Sequence, residues 1–125
     1  MSLRTPLGKV LGRGSAGEGV GHWWVQRVTA VALLPLTASF VISLLGHSLT
    51  SYEEMRSWLS RPGVAVLTIL MVLTLAWHSK LGVQVVIEDY VHAKGTKTLL
   101  LVSSTFVHVG AAVAAAFAVL VLALK

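Results

Sequence analysis

The stretch TLLLVSSTFVHVGAAVAAAFAVLVLAL, from Thr98 to Leu124, contains no Asp, Glu, Lys or Arg. A helix needs about 20 apolar residues to cross the ~30 Å hydrocarbon layer of a bilayer, and this run exceeds that. Two more runs lie upstream. No charge occurs between Val28 and Tyr52, and none between Pro62 and Ser79, beyond which the apolar pattern continues past Lys80 to Ile87. Only helices and closed barrels satisfy their backbone polar groups in lipid. None of the runs alternates strictly with period two, as barrel strands do. The sequence therefore predicts an all-α membrane protein with three transmembrane helices, over about 25–47, 63–90 and 98–124, within one domain spanning 22–125.

Composition agrees. Of 125 residues, 55% are hydrophobic and only 12% charged. Soluble domains carry about 25% charged residues, and a core this small cannot bury such an apolar surplus. A soluble enzyme and a disordered chain are both excluded on this ground. The net charge of +5 is not gathered into a face that could track phosphates, so it reads as attraction to a membrane surface, not to nucleic acid. With no cysteine, the chain has no thiolate ligands for an iron–sulfur cluster or zinc.

Residues 1–21 differ from the rest. Six glycines from Gly8 to Gly21 alternate with Arg4, Lys9 and Arg13, which predicts a flexible basic tail that orders only against a partner. Between the first two spans, Ser51 and Glu54 have capping-box spacing. A short interfacial helix follows, with Tyr52, Met55 and Leu59 on one face, ending before Arg61-Pro62. Pro62 suits the opening of the second span, where its missing N–H costs nothing. The next loop is short, around His92 to Gly95, so the second and third spans are antiparallel neighbours. Arg4, Lys9, Arg13, Arg27, Lys94 and Lys97 fall on one side of the membrane; Arg56, Arg61 and Lys125 fall on the other. The positive-inside rule then makes the N-terminus cytoplasmic and the C-terminus periplasmic. Trp23, Trp24, Trp58 and Tyr90 stand near span ends, as interfacial aromatics do.

An ionisable group inside a bilayer is costly and points to function. His78 lies about nine residues inside the second span, roughly 14 Å deep. At 100° per residue it shares a stripe with Gly82, Val85 and Asp89. An imidazole beside a missing side chain suits a flat macrocycle: nitrogen for the iron, glycine for close approach of the ring. A histidine bonded to a neighbouring helix, with glycine for helix packing, meets the same pattern. His108, at a similar depth in the third span, is the other candidate ligand and could share a haem with His78 inside this chain. It also fits a polar contact between helices. At the end of the second span stand Glu88-Asp89-Tyr90. A phenol that donates to a carbonyl, beside carboxylates that pass protons, suits a quinone headgroup; an ordinary helix end in the aromatic belt suits it as well. Arg27 opens the first span, where it could neutralise haem propionates, pair with Asp89, or serve as a positive-inside anchor. Gln26 and Thr29 are candidates for hydrogen bonds between helices. Lys80, two positions from His78, points to another face.

His78-Ser79-Lys80-Leu81-Gly82, followed after six residues by Asp89-Tyr90, resembles the HxxxG…DY segment of the D-type hydrophobic anchor subunit of succinate dehydrogenase. Gly19 to Leu34, with His22, Gln26-Arg27 and Thr29-Ala30, is similar to the start of that subunit's first helix. The resemblance implies that His78 is an axial ligand of haem b, with the second histidine supplied by a C-type anchor subunit. It implies that Tyr90 hydrogen-bonds ubiquinone, that Asp89 belongs to the quinone site or its proton path, and that Arg27 lies near the haem propionates. It assigns nothing to His108 or Lys80. Its implied partners are the C-type subunit, an iron–sulfur subunit and a flavoprotein subunit that oxidises succinate. The implied setting is a bacterial inner membrane, with the chain itself a non-catalytic anchor and its tail lying against the iron–sulfur subunit. Two other classes stand beside this one. A cofactor-free structural anchor would tolerate loss of His78 and Tyr90. A small transport or channel subunit would carry intramembrane acids or broken helices, but every Asp and Glu lies outside the charge-free runs and Pro35 is the one proline inside them.

Overall fold

The computed structural model describes residues 5–7, 19–47 and 50–124. From Gly19 onward they form four helices: α1 (Gly19–Leu45), α2 (Tyr52–Leu59), α3 (Pro62–Tyr90) and α4 (Lys94–Leu124). No strand occurs among the described residues. Helices α1, α3 and α4 are each long and apolar enough to cross a membrane. Most of the predicted tail, with Arg4, Lys9 and Arg13, lies outside the described residues, as does Lys125.

The helices outrun the charge-free segments. They have 27, 29 and 31 residues, or roughly 40–46 Å at ~1.5 Å per residue. Helix α1 begins at Gly19, and α4 begins at Lys94, not Thr98. Lack of charge marks the hydrocarbon; the helix continues through the headgroups, where lysines extend their apolar stems along it and keep the ammonium wet. The loop between α3 and α4 is accordingly only Val91–Ala93. Lys97 Nζ donates to Glu88 O across it at 2.9 Å. That caps a free carbonyl at the end of α3 with a cation, where the helix dipole favours one.

Helix α2 starts as its sequence requires. Ser51 Oγ accepts from Glu54 N, and the Glu54 carboxylate accepts from Ser51 N, completing the capping box. Its buried side chains do not follow the Tyr52–Met55–Leu59 stripe. Tyr52 and Met55 are exposed, while Trp58 and Leu59 are buried. Eight residues allow two overlapping stripes, and the larger apolar body, Trp58, takes the interior. Its ring packs edge-on to Phe40 at 5.6 Å, and its Nε1 donates to Ser43 Oγ at 2.7 Å. Pro62 is the first residue of α3.

Helix α3 packs along both α1 and α4. Among the described residues the buried side chains cluster at one end, where Trp58, Leu59, Ala65 and Val119 pack with Phe40, Leu44 and Leu122. We call this the Trp58 end, and the opposite one the Tyr90 end. Apolar side chains stand exposed along all three spans, Val31 and Leu34 on α1, Leu70 and Val86 on α3, Phe106 and Phe117 on α4. Such a surface is stable only against lipid or other transmembrane helices.

Candidate functional site

His78 is half-buried on α3 and faces α1. Its Nδ1 lies 3.0 Å from Thr29 Oγ1, while Nε2 has no hydrogen-bond partner among the described residues. Gly82 sits one turn further on. A Cβ built there would meet only Gln26 Nε2, at 4.0 Å. The missing side chain thus leaves a shallow opening on the α1 side, next to an imidazole with one nitrogen held and one available.

His108 is placed differently. Its Nδ1 lies 2.7 Å from Ser104 O, a carbonyl that can only accept, so Nδ1 donates. Its Nε2 lies 3.2 Å from Ser79 Oγ. Both nitrogens are held by α3 and α4, on the face of α3 away from Thr29. The two histidines thus engage different neighbours, the arrangement of a polar helix contact for His108. Lys80 Nζ stands 4.9 Å over the Trp77 ring, a cation–π contact that satisfies part of an intramembrane charge.

At the Tyr90 end, a groove of about 460 Å³ opens between α1 and α3. Its polar lining comes from His22, Gln26, Gln84 and Glu88, with Trp23 and Leu81 alongside. Gln84 Nε2 donates to Glu88 Oε1 at 2.8 Å. Asp89 and Tyr90 do not line this groove; both are exposed, Tyr90 by 79%. Arg27 forms no ion pair with Asp89; its guanidinium lies over the Trp23 ring at 5.5 Å. Arg27 and Trp23 are one helical turn apart, and the ring face is within reach without crossing to another helix. The groove-lining polar residues had a sequence signal that goes beyond single motifs: His22 and Gln26, and Gln84 and Glu88, are two i,i+4 pairs on facing helices.

The family described as succinate dehydrogenase/fumarate reductase transmembrane subunit matches residues 1–122. The chain belongs to this family. Among its relatives, the succinate dehydrogenase hydrophobic membrane anchor subunit of Paracoccus denitrificans is 37% identical over 85% of this chain and 82% of that protein. The subunit of the same name from Rickettsia bellii is 30% identical over 81% of each chain. That of Coxiella burnetii is 32% identical over 66% of this chain and 72% of its own. No solved structure matches the chain. As a succinate dehydrogenase membrane anchor, the chain is a multi-pass, non-catalytic member of a larger complex. Its exposed apolar spans and its one-ended core are what such a member requires.

Proposed function

We propose that this anchor subunit supplies His78 as one axial ligand to haem b and Tyr90 as a hydrogen-bond donor to ubiquinone, so that electrons from succinate reach the quinone at the membrane boundary. The observation that carries the haem assignment is the state of His78: Nδ1 is engaged by Thr29 and Nε2 is not engaged by the protein. Ligating histidines hold the other ring nitrogen in this way. Gly82 adds a place where a flat ring approaches the backbone without meeting a Cβ. His108, with both nitrogens engaged, lacks this availability. His78 offers one nitrogen to the iron, and on this reading the second axial histidine belongs to a C-type anchor subunit.

Haem b, when bound, supplies a one-electron carrier. The chain's own residues would orient it. His78 presents Nε2, Gly82 leaves room, and Arg27 at the N-terminal end of α1 provides positive charge for propionates. Ubiquinone is substrate. Tyr90 Oη donates to a quinone carbonyl, and Asp89 beside it accepts and passes protons from the aqueous side. Both are exposed in this chain, so the rest of the pocket comes from the iron–sulfur and C-type subunits. The flavoprotein subunit oxidises succinate. The Lys/Arg distribution along the sequence supports an N-terminus in the cytoplasm and a C-terminus in the periplasm of a bacterial inner membrane.

The test is a reduced-minus-oxidised optical spectrum of the purified complex, wild type beside His78→Ala. Loss of the b-type bands in the variant, with retention in His108→Ala, is the expected outcome. Bands that survive His78→Ala would remove the ligand assignment.

A further inference from the structure

We infer that Thr29 is a positioning residue for the haem ligand: its hydroxyl holds His78 in the Nδ1-protonated tautomer, which leaves the lone pair on Nε2. The inference rests on the assignment of His78 as an axial ligand. Its basis is the proton count at one oxygen. Thr29 Oγ1 lies 2.8 Å from Val25 O, 3.0 Å from Gln26 O and 3.0 Å from His78 Nδ1. The two carbonyls can only accept, and a hydroxyl has one proton to give. Threonine inside a helix returns that proton to the carbonyl of the preceding turn. The oxygen lone pair then faces Nδ1, and the proton in that contact must come from the ring.

A neutral imidazole carries one N–H, so a proton on Nδ1 is a proton absent from Nε2. The order of donation is Nδ1–H to Thr29 Oγ1, and Thr29 Oγ1–H to Val25 O. The relay ends on the backbone of α1. It fixes the ring's rotation as well as its tautomer, since Nδ1 is tied to a different helix from the one that carries His78. A held N–H also raises the basicity of the opposite nitrogen. A more basic imidazole favours ferric over ferrous iron and lowers the haem potential. Thr29 touches neither iron nor quinone; it acts through His78.

The measurement is a redox titration of the b-type bands in the intact complex, for wild type, Thr29→Val, Thr29→Ser and His78→Ala. Thr29→Val keeps the shape and removes the acceptor. It should raise the midpoint potential by about 59 mV, equivalent to a tenfold loss of ferric preference for a one-electron couple, and lower haem retention on dilution in detergent. Thr29→Ser should restore the wild-type potential. If Thr29→Val does not assemble, Thr29→Ala is titrated in its place. An unchanged potential in an assembled Thr29→Val or Thr29→Ala complex overturns the role of Thr29 and leaves His78 as ligand. Bands that persist in His78→Ala overturn the ligand assignment itself, and with it this inference.

Discussion

At the Trp58 end, the side chains find their partners within the chain. Trp58 is 4% exposed, bonded to Ser43 and packed on Phe40. His47 Nδ1 donates to Ser43 O at 2.8 Å, and Arg61 Nη1 donates to His47 Nε2 at 3.0 Å. At the Tyr90 end, an open groove lies between α1 and α3, Tyr90 is almost bare, and Asp89 is exposed. The same three helices make both ends, so the difference is not one of secondary structure. Among the described residues it comes from α2, a short helix that fills the gap between spans at one end and has no counterpart at the other. A chain that completes one end alone and leaves the other unpartnered is built to be finished by other subunits there. The groups proposed for cofactor and substrate stand in the incomplete half.

The comparison breaks most sharply at Trp58. Trp58→Ala removes the largest side chain in the buried cluster and leaves Ser43 Oγ without its donor. We expect a loss of about 3 kcal/mol, seen as a lower melting temperature of the detergent-solubilised complex. The midpoint potential of the b-type bands should stay where it is, because the cluster lies at the far end of α3 from Gly82. A potential that moves with Trp58 would mean that the two ends are coupled through α3.

Tyr90→Phe probes the opposite end. The ring stays and one donor goes, a change worth roughly 1.4 kcal/mol if the hydrogen bond strengthens as charge develops on the quinone oxygen. That is about a tenfold slower quinone reduction. The optical spectrum, the melting temperature and succinate oxidation by an artificial acceptor should all be retained. Equal loss of both activities would place Tyr90 in assembly and not at the quinone.

Charge-free runs and a capping box were enough to read three spans and the helix between them, because hydrocarbon tolerates no charge and the helix start needs its N–H groups met. The same signals say little about which faces meet. Trp58 has the sequence context of an interfacial aromatic, and only packing shows that α2 turns it inward against Phe40. His78 and Gly82 were legible as a stripe. The partner of His78 was not, because Thr29 lies 49 positions away and no local period connects them. A pair between Arg27 and Asp89 was one of three readings of that arginine; its guanidinium lies instead over Trp23, one turn away on its own helix. Whatever the proposed haem and quinone sites would take from other chains cannot be written in this sequence.

A smaller effect separates the ends through the start of α2. Ser51→Ala removes the acceptor for Glu54 N, and losing such a cap costs about 1 kcal/mol. Hydrogen exchange should quicken in the amides of α2, and haem and quinone readouts should not move. A change at the quinone would show that α2 supports the Tyr90 end from a distance.

The smallest expected effect is a pH dependence confined to the Trp58 end. The Glu54 carboxylate is held below its ordinary range, chiefly by the Thr50 backbone N–H at 2.9 Å, then by the Thr50 hydroxyl at 3.0 Å, with Ser51 N adding to both. In the window between the lowered folded value and the ordinary value near ~4.3, the unfolded helix start binds more protons than the folded one, so stability rises with pH. The contribution is fully present above the ordinary value and is lost as pH falls through the lowered one. Glu54 is exposed, so salt screens what survives of it. Protection of the α2 amides, corrected for intrinsic exchange, should fall as pH drops below about 4.3 in wild type and stay flat in Glu54→Gln. A wild-type profile as flat as that of Glu54→Gln would show that the capping box holds α2 by geometry alone, with the carboxylate's charge contributing nothing.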